Sequence, residues 1–521
     1  MNKLIQIAMR HTLMARLAKH ASIQLSPRLM SWGASVLPVC ALLMSSGCAV
    51  GPDYHRPALK TPQAYTATSL PERTVSAAGS AGQVQALLPG QSVQQQWWQA
   101  FGSRELDKLV ADAINASPDL QAANAALLAA REHVAAQRGL YWPSVSAQFN
   151  PTRQKIASSL STPAYAEQIM LYSLYTAQLN IGYVPDVFGA NRRMVEALAA
   201  QVDFQRYARQ AAYTSLVGNI VNTAIQEASL RAQINAAHEL VALSAQMLAM
   251  SQRQYAAGQV SLADVTAQEA ALAQAQAALL PLQQQLDQQH NLLAVLTGHY
   301  PSELPAQAFD LDKLHLPAAL PVSLPAQLLE QRPDIRSAEA QLQAASAMVG
   351  VATAARLPSV TLSANIGGAT LQFADLLKGA GSFWTVGANI LQPVFAGGQL
   401  LHQQCAAEAT YAQAAAQYRS TVLTAFQDTA DTLQAIHYNA ETLRLADVAY
   451  QAAQKNLLIV QRQRERGAAS QPEVLLAQQQ YQQAVMSLVQ ARAARYNGTV
   501  ALFQALGGAW WEADSQESGQ P

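Results

Sequence analysis

Four short stretches of the chain alternate between apolar and polar residues with a period of two. They span residues 143–150, 169–183, 358–366 and 383–391. This period predicts half-buried strands, each with one apolar face and one face of Ser, Thr, Asn or Gln. Runs of about 9–11 residues suit a membrane-spanning β-strand, and a polar inner face is typical of a water-filled barrel. A soluble antiparallel sheet with one wet face is the alternative interpretation.

Two much longer stretches, residues 191–257 and 399–466, contain no proline and are rich in Ala, Gln, Leu and Arg. These residues favour helix, and at ~1.5 Å per residue each stretch predicts a rod about 100 Å long. No globular core is that deep. The pattern therefore predicts a helical stalk or conduit in addition to the strands.

Shorter helices are predicted beside the long ones, with two of them stacked end to end along each rod. They span residues 104–138, 262–296, 326–356 and 473–506. Pro281 lies inside the second of these stretches and predicts a kink or a break in its hydrogen bonding.

The chain contains this architecture twice, as its recurring motifs indicate. Pro118-Asp119-Leu120 recurs as Pro333-Asp334-Ile335, and Gly258-x-x-Ser261-x-x-Asp264 recurs as Gly467-x-x-Ser470-x-x-Glu473. The predicted organisation is a signal peptide (1–47), a lipid anchor with an N-terminal strap (48–103), a first repeat (104–298), an equatorial linker (299–325), a second repeat (326–508) and a tail (509–521).

The N-terminus has the form of an export signal. A basic start is followed by an apolar run at 32–44, which is shorter than the ~20 residues that a membrane-spanning helix needs. The ending Ser45-Ser46-Gly47-Cys48 resembles a lipoprotein signal, although Ser45 stands where that signal usually has Leu. The resemblance implies that Cys48 carries the lipid, including palmitate. A plain signal peptide with an incidental cysteine is the alternative.

The charge balance narrows the function classes. Lys and Arg together number 33, as do Asp and Glu, and charged residues make up only 13% of the chain. A net charge of zero gives no reason to propose nucleic acid as a partner. The histidines are scattered without the spacing of metal ligands, and we expect no catalytic residues, no metal and no cofactor.

Three motifs carry a family resemblance. Gly51-Pro52-Asp53-Tyr54, Trp97-Trp98-Gln99-Ala100-Phe101 and Leu106-Asp107-Lys108-Leu109 together resemble the start of outer-membrane efflux lipoproteins of the TolC-like, NodT type. Four strands cannot close a barrel, and open sheet edges are not viable in lipid, so more than one chain must contribute. The resemblance implies a homotrimer with a twelve-stranded barrel.

The expected fold is an α+β membrane protein. A trimeric transmembrane β-barrel, with four strands per chain, continues into a long periplasmic α-helical coiled-coil barrel, and two internal repeats build both. The resemblance implies a lipid-anchored protein of the outer membrane that contacts outer membrane lipid and extends into the periplasm. Its partners would be a periplasmic adaptor (membrane fusion) protein and an inner-membrane pump of the RND type.

The expected function is a passive exit duct of a tripartite efflux system, for drugs or other small molecules. Three alternatives remain open: a duct for type I protein secretion, a structural periplasmic lipoprotein that forms no channel, and an exported enzyme with a pocket in the middle belt. We expect no enzyme, because no cluster of polar groups marks such a pocket.

The turns between helices carry the sharpest site hypothesis. Gly258 and Gly467 are expected to end one helix, while Ser261 with Asp264 and Ser470 with Glu473 form capping boxes that begin the next. The same turns are predicted to form a periplasmic aperture, ringed by the carboxylates of Glu473 and Asp264. The resemblance implies that Gly258, Ser261, Gly467 and Ser470 dock the adaptor.

A second level is considered for the constriction. TolC-like proteins carry a further Asp where this chain has Leu476, so the narrowest point is also considered at Asp428 or Asp431, which share a helix face. Three arginines near the second turn are candidates to pair with these carboxylates: Arg462, Arg464 and Arg466.

Overall fold

A computed structural model describes residues 49–58, 62–156, 170–303, 309–376, 378–379 and 381–508. The predictions for the leader 1–47, Cys48 and the tail 509–521 lie outside these residues. The described chain forms two compact units. A strand unit contains Leu140–Arg192 and Thr353–Gly397, and a helical unit contains Pro52–Gly139, Arg193–Ala352 and the chain from Gly398 onward.

Eight α-helices are described. In chain order they are α1 (Arg104–Ala116), α2 (Pro118–Gly139), α3 (Ala190–Ala256), α4 (Leu262–Leu296), α5 (Pro325–Gln331), α6 (Pro333–Ala354), α7 (Gln399–Glu465) and α8 (Gln471–Ala505). The two long helices, α3 and α7, each have 67 residues, and α4 and α8 each have 35. The element order of the first half thus recurs in the second, and the long helix and the helix after it have equal lengths in both halves. None of the described helices is long and apolar enough to cross a membrane.

Two of the predicted shorter helices are each broken in two, which corrects the predictions for 104–138 and 326–356. Ser117 separates α1 from α2, and Arg332 separates α5 from α6; both have extended ψ values, of 120° and 123°. The residue before a proline is pushed out of the helical region by the proline ring. Pro118 and Pro333, the first residues of the recurring motif, therefore place the same break in both halves.

Pro281 does not end its helix. The structure keeps α4 helical from Leu262 to Leu296 with Pro281 inside it. The proline lacks the N–H of a normal helical residue, so one helical hydrogen bond is lost there, and the kink stays a prediction.

The strand unit contains one antiparallel sheet of four strands. Its order is β2 (Ser144–Ile156), β3 (Met170–Tyr183), β5 (Ser359–Thr370) and β6 (Ser382–Leu391). All four predicted strands are present in the described residues. The first and third run further than predicted, and β2 continues through Pro151, which faces Tyr175 of β3.

The register gives this sheet two chemically different faces. Directly paired residues share a face, and one face collects the apolar side chains, as in the pairs Val145–Ile181 and Ile366–Trp384. The opposite face carries uncharged amides and hydroxyls. There, Gln178 donates to Gln148 at 3.3 Å and to Asn180 at 2.9 Å.

The two outer strands of this sheet, β2 and β6, each pair with only one described strand. The sheet therefore has two open edges. Unpaired backbone groups at such edges are available for another chain.

The helical unit has a core of aromatic and aliphatic side chains. Trp97, Trp98 and Phe101 are buried, and the ring of Trp97 lies 5.3 Å from that of Phe503 on α8. A small parallel sheet also joins the N-terminal strap to the equatorial linker through β1 (Ala86–Pro89) and β4 (Ala319–Val322). This segment of the strap is therefore held in place by its pairing with the linker.

Candidate functional site

The two predicted turns have the same backbone geometry. Gly258 and Gly467 follow α3 and α7 with φ values of 72° and 73°, in the left-handed region that glycine adopts without steric cost. Gly258 donates to the carbonyl of Tyr255 at 2.9 Å, and Gln259 donates to that of Gln254 at 2.8 Å. This pair of bonds is a Schellman motif, which satisfies the last carbonyls of the helix.

The second turn repeats these bonds. Gly467 donates to the carbonyl of Arg464 at 3.0 Å, and Ala468 donates to that of Gln463 at 2.8 Å. No heavy atom lies within 4 Å of where a Cβ on either glycine would stand. The backbone angle, rather than crowding, therefore calls for glycine at both turns.

Both following helices begin with the predicted capping boxes. Ser261 donates to Asp264 Oδ2 from its backbone at 2.9 Å and from its hydroxyl at 2.7 Å, and Asp264 N–H donates back to the Ser261 hydroxyl at 3.3 Å. The hydroxyl of Ser470 donates to Glu473 Oε2 at 2.7 Å, and its backbone N–H donates to the same oxygen. Each acid satisfies donors at its own helix N-terminus.

These hydrogen bonds keep both carboxyls ionised. Bonds from the Ser261 hydroxyl and backbone lower the pKa of Asp264, as does the more distant charge of Arg464. Bonds from the Ser470 backbone and hydroxyl lower the pKa of Glu473. Each turn therefore carries a negative charge at neutral pH while its helix remains capped.

Arg464 connects the two turns. Its guanidinium donates to the carbonyl of Ala469 at 3.3 Å and to the side-chain oxygen of Gln254 on α3 at 3.4 Å. The ends of α3 and α7 are thus neighbours within the helical unit. Leu476, three residues after Glu473, is exposed.

Buried glutamines lie within a few helical turns of this site. Gln268 on α4 is fully buried, and neither its side-chain oxygen nor its side-chain nitrogen has a partner among the described residues. Gln471 and Gln478 on α8 are also buried, and their amide nitrogens lack a described partner. An unsatisfied buried polar group costs roughly 1–3 kcal/mol.

Asp428 has a partner that sequence reasoning missed. Arg332 Nη2 donates to Asp428 Oδ2 at 3.0 Å and to Asp334 Oδ2 at 2.7 Å. The same guanidinium donates to the backbone carbonyls of Ala425 and Ala505 at 3.3 and 3.2 Å. Burial disfavours the charged form of Arg332, but the bonds and attraction from Asp334 and Asp428 outweigh it and raise its pKa.

The contacts of Arg332 change the interpretation of Asp428 and Asp431 as a second candidate position for the constriction. The arginine beside Asp428 is Arg332, which the sequence analysis did not consider, and much of the charge of Asp428 is balanced. Asp431 accepts a bond from Gln427 at 3.4 Å and is exposed. Only the position of Arg332 before Pro333 and Asp334, inside a recurring motif, could have drawn attention to it.

The Gly51-Pro52-Asp53-Tyr54 motif forms a second set of ion pairs. Asp53 accepts from the nearly buried Arg193 of α3 at 2.8 Å. Arg56 pairs with Glu330 and, at 3.1 Å, with Glu339 of α6. The segment that follows the leader is therefore held along helices from both halves of the chain.

The described residues include no group of three or more His, Cys, Asp or Glu placed to hold a metal ion. Cys405 is exposed on α7.

Comparison with known proteins adds a family match. The family model described as "Outer membrane efflux protein" matches residues 109–299 and 324–508. The pyoverdine export outer membrane protein OpmQ of Pseudomonas aeruginosa is 31% identical over 425 residues, which cover 81% of this chain and 88% of OpmQ. The toluene efflux pump outer membrane protein TtgC of Pseudomonas putida is 29% identical over 486 residues, covering 93% and 97% of the two chains.

A solved structure agrees with these relatives. The outer-membrane channel OprN superposes with a TM-score of 0.79 at 26% identity, and the match covers 89% of this chain and all 100% of that chain.

Proposed function

Because the chain belongs to the outer membrane efflux protein family, we propose that it is the outer membrane channel of a tripartite efflux system. In this role it is a passive exit duct that carries small molecules from the periplasm to the exterior. The two-faced sheet with open edges is the observation that supports this proposal most directly.

The two faces of the sheet suit a barrel wall. An apolar face meets lipid, while the amides of Gln148, Gln178 and Asn180 line an aqueous interior without charge. A neutral polar wall neither repels nor holds solutes of either charge. Such a lining is appropriate for a duct that serves a pump whose selectivity lies elsewhere.

The open edges support an assembly of more than one chain, and the family resemblance implies that the number is three. Unpaired strands are not viable in lipid, so β2 of one chain pairs with β6 of the next. Three chains give a twelve-stranded barrel. The helices of the two internal repeats form a periplasmic coiled-coil barrel in this proposal, and the turns at Gly258 and Gly467 belong to these helices.

The turns serve as adaptor-docking surface and aperture. The periplasmic adaptor contacts Gly258, Ser261, Gly467 and Ser470, while the ionised carboxylates of Asp264 and Glu473 ring the opening. Buried glutamine amides without a described partner lie near the turns and support a rearrangement of the helix packing there. Docking then shifts a two-state equilibrium toward an open aperture.

Asp428 and Asp431 form the second candidate level of the aperture. The ion pair with Arg332 favours a structural role for Asp428, so the exposed Asp431 is the stronger candidate at this level.

The names of the relatives favour small molecules over proteins as cargo. One relative is a pyoverdine export protein and another belongs to a toluene efflux pump. Small-molecule efflux through an inner-membrane pump of the RND type is therefore preferred to type I protein secretion and to a structural lipoprotein without a channel.

A lipid on Cys48 anchors the N-terminus to the outer membrane. Two contacts within the strand unit support this: Val50 donates to the carbonyl of Phe188 at 3.1 Å, and a Cβ on Gly189 would stand 2.7 Å from Ala49. The residue after Cys48 thus lies against the turn that follows β3.

Planar-bilayer recording of the purified, folded protein tests the channel. Discrete single-channel currents from a trimer that resists detergent until heated are expected. A monomer that inserts and conducts nothing would contradict the proposal and favour a structural lipoprotein. Metabolic labelling with palmitate, compared between the wild type and Cys48→Ser, tests the anchor separately, because loss of label leaves the barrel intact.

A further inference from the structure

The four strands of the membrane sheet contain only two charged residues, Arg153 and Lys155. Both lie on β2, where they face Ser173 and Leu171 of β3. By the alternation of the strand they share a face with Val145, Ala147 and Phe149. Two cations therefore stand on the apolar face, and none stands on the polar face.

Aromatic rings precede these cations along the same face. The ring of Phe373, from the segment between β5 and β6, lies 6.1 Å from Phe149 and 5.8 Å from Tyr175. Tyr175 faces Pro151, and the next pair on this face contains Arg153. Aromatic girdles mark the level at which a barrel leaves the hydrocarbon for the headgroups. The cations therefore lie just beyond such a girdle.

The length of β2 is consistent with a position of Arg153 at the membrane interface. At ~3.3 Å per residue, the stretch from Ser144 to Arg153 is about 30 Å long, and a strand tilt of about 40° reduces its rise to roughly 23 Å. The apolar band of an outer-membrane barrel is about 25 Å tall. If Ser144 lies at the end of the band from which β2 enters, Arg153 reaches the opposite interface.

The two cations have no counter-charge within the described protein. The four strands contain no Asp or Glu, and neither Arg153 nor Lys155 forms an ion pair with any described residue. A single basic side chain at the membrane interface extends its charged end into water. Two on one face, beside a girdle and without an acid, are instead complementary to an anion in the headgroup layer.

We propose that Arg153 and Lys155 bind the phosphate groups of a phosphorylated glycolipid in the outer leaflet. This inference rests on the proposed function, which makes this face the lipid-facing wall. Arg153 supplies a planar fork for two phosphate oxygens, and Lys155 supplies a point charge. Side chains two residues apart on a strand lie on one face about 6.6 Å apart, so both reach one headgroup.

Native mass spectrometry of the trimer tests the site, with the phosphorylated disaccharide lipid A as the probe. The wild type is compared with the double variant Arg153→Gln/Lys155→Gln in phosphatidylcholine nanodiscs. Each basic residue near an anionic surface contributes roughly a fivefold gain in affinity, so the double variant is expected to bind about 25-fold more weakly. Dephosphorylated lipid A should bind the wild type as weakly as the variant binds the probe.

Two control variants make the result decisive. Arg153→Lys/Lys155→Arg keeps both charges and should retain the lipid, and Lys378→Gln, whose lysine pairs with Asp375 at 2.9 Å, should leave binding unchanged. Equal binding of phosphorylated and dephosphorylated lipid by the wild type would overturn the inference even if the double variant failed to fold. So would undiminished binding by a folded double variant.

A conductance measurement distinguishes failure of the proposed lipid site from failure of the proposed channel. The folded double variant should conduct like the wild type, because its substitutions lie on the face away from the pore. Loss of current in the wild type would count against the channel, while the lipid count would still decide on the phosphate site.

Discussion

Arg332 Nη2 lies 3.0 Å from Asp428 Oδ2, and the two residues are 96 positions apart in the chain. The arginine occupies the break between α5 and α6, where the backbone is extended because Pro333 follows. The guanidinium of Arg332 lies at this break, where backbone groups would otherwise be left unpaired. It also donates to backbone carbonyls on α7 and α8. Arg332 therefore links α7 and α8 to the break between α5 and α6.

Arg332→Ala should destabilise this region more than Asp428→Asn does. Removing the largely buried arginine leaves two carboxylates and two carbonyls without their donor, at an expected cost of about 3 kcal/mol. Asp428 is nearly half exposed, so its substitution should cost about 1 kcal/mol. Hydrogen exchange at residues 326–335 and 425–432 measures both effects. Asp431→Asn, one helical turn from Asp428, is the matched control; an equal effect in all three variants would refute the cluster.

Gly467→Ala should destabilise the second turn by about 1 kcal/mol. Nothing stands where its Cβ would be placed, so the whole cost comes from the left-handed backbone angle. Gly467→Asn should cost less, because Asn tolerates this conformation. Local exchange at residues 463–468 provides the measurement. Gly139→Ala, which also meets open space but has no positive φ, should have no such cost.

Glu473→Gln should reduce the cation preference of the channel and raise its conductance, because three negative charges leave the aperture. Ser470→Ala separates this effect from capping, since it removes the hydroxyl bond to Glu473 and keeps the charge. Bilayer recordings of both variants and of Asp431→Asn compare the two candidate levels. If only Asp431→Asn changes selectivity, the constriction lies at α7 rather than at the turns.

The capping boxes should weaken at acidic pH. The pKa values of Asp264 and Glu473 lie below their ordinary values of 3.8 and 4.5. The stabilisation from each is therefore complete above the ordinary value and is lost as pH falls through the lower, folded-state value. Exchange at residues 259–264 and 468–473, compared between pH 6 and about pH 3, should show loosening only at the lower end. Asp264→Asn should abolish the pH dependence at the first turn alone.

The sequence predicted the strands, long helices and caps because their signals are local. Alternation along β3 and the Gly-x-x-Ser-x-x-acid pattern need no knowledge of distant residues. Arg332 was missed because its partners come from α7 and α8, which only the fold brings close. The helix breaks were missed although Pro118 and Pro333 were noticed, since the prolines were interpreted as repeat markers and not as boundaries. The parallel pairing of β1 with β4 joins four-residue strands too short for a periodic signal.

The open edges of β2 and β6 have a consequence for biogenesis. In the proposed trimer, the backbone donors and acceptors at these two edges pair between molecules and not within one. Its equilibrium stability therefore depends on protomer concentration by mass action. Slow pairing of these edges should lengthen the time that each chain spends with them exposed, and with it the risk of aggregation.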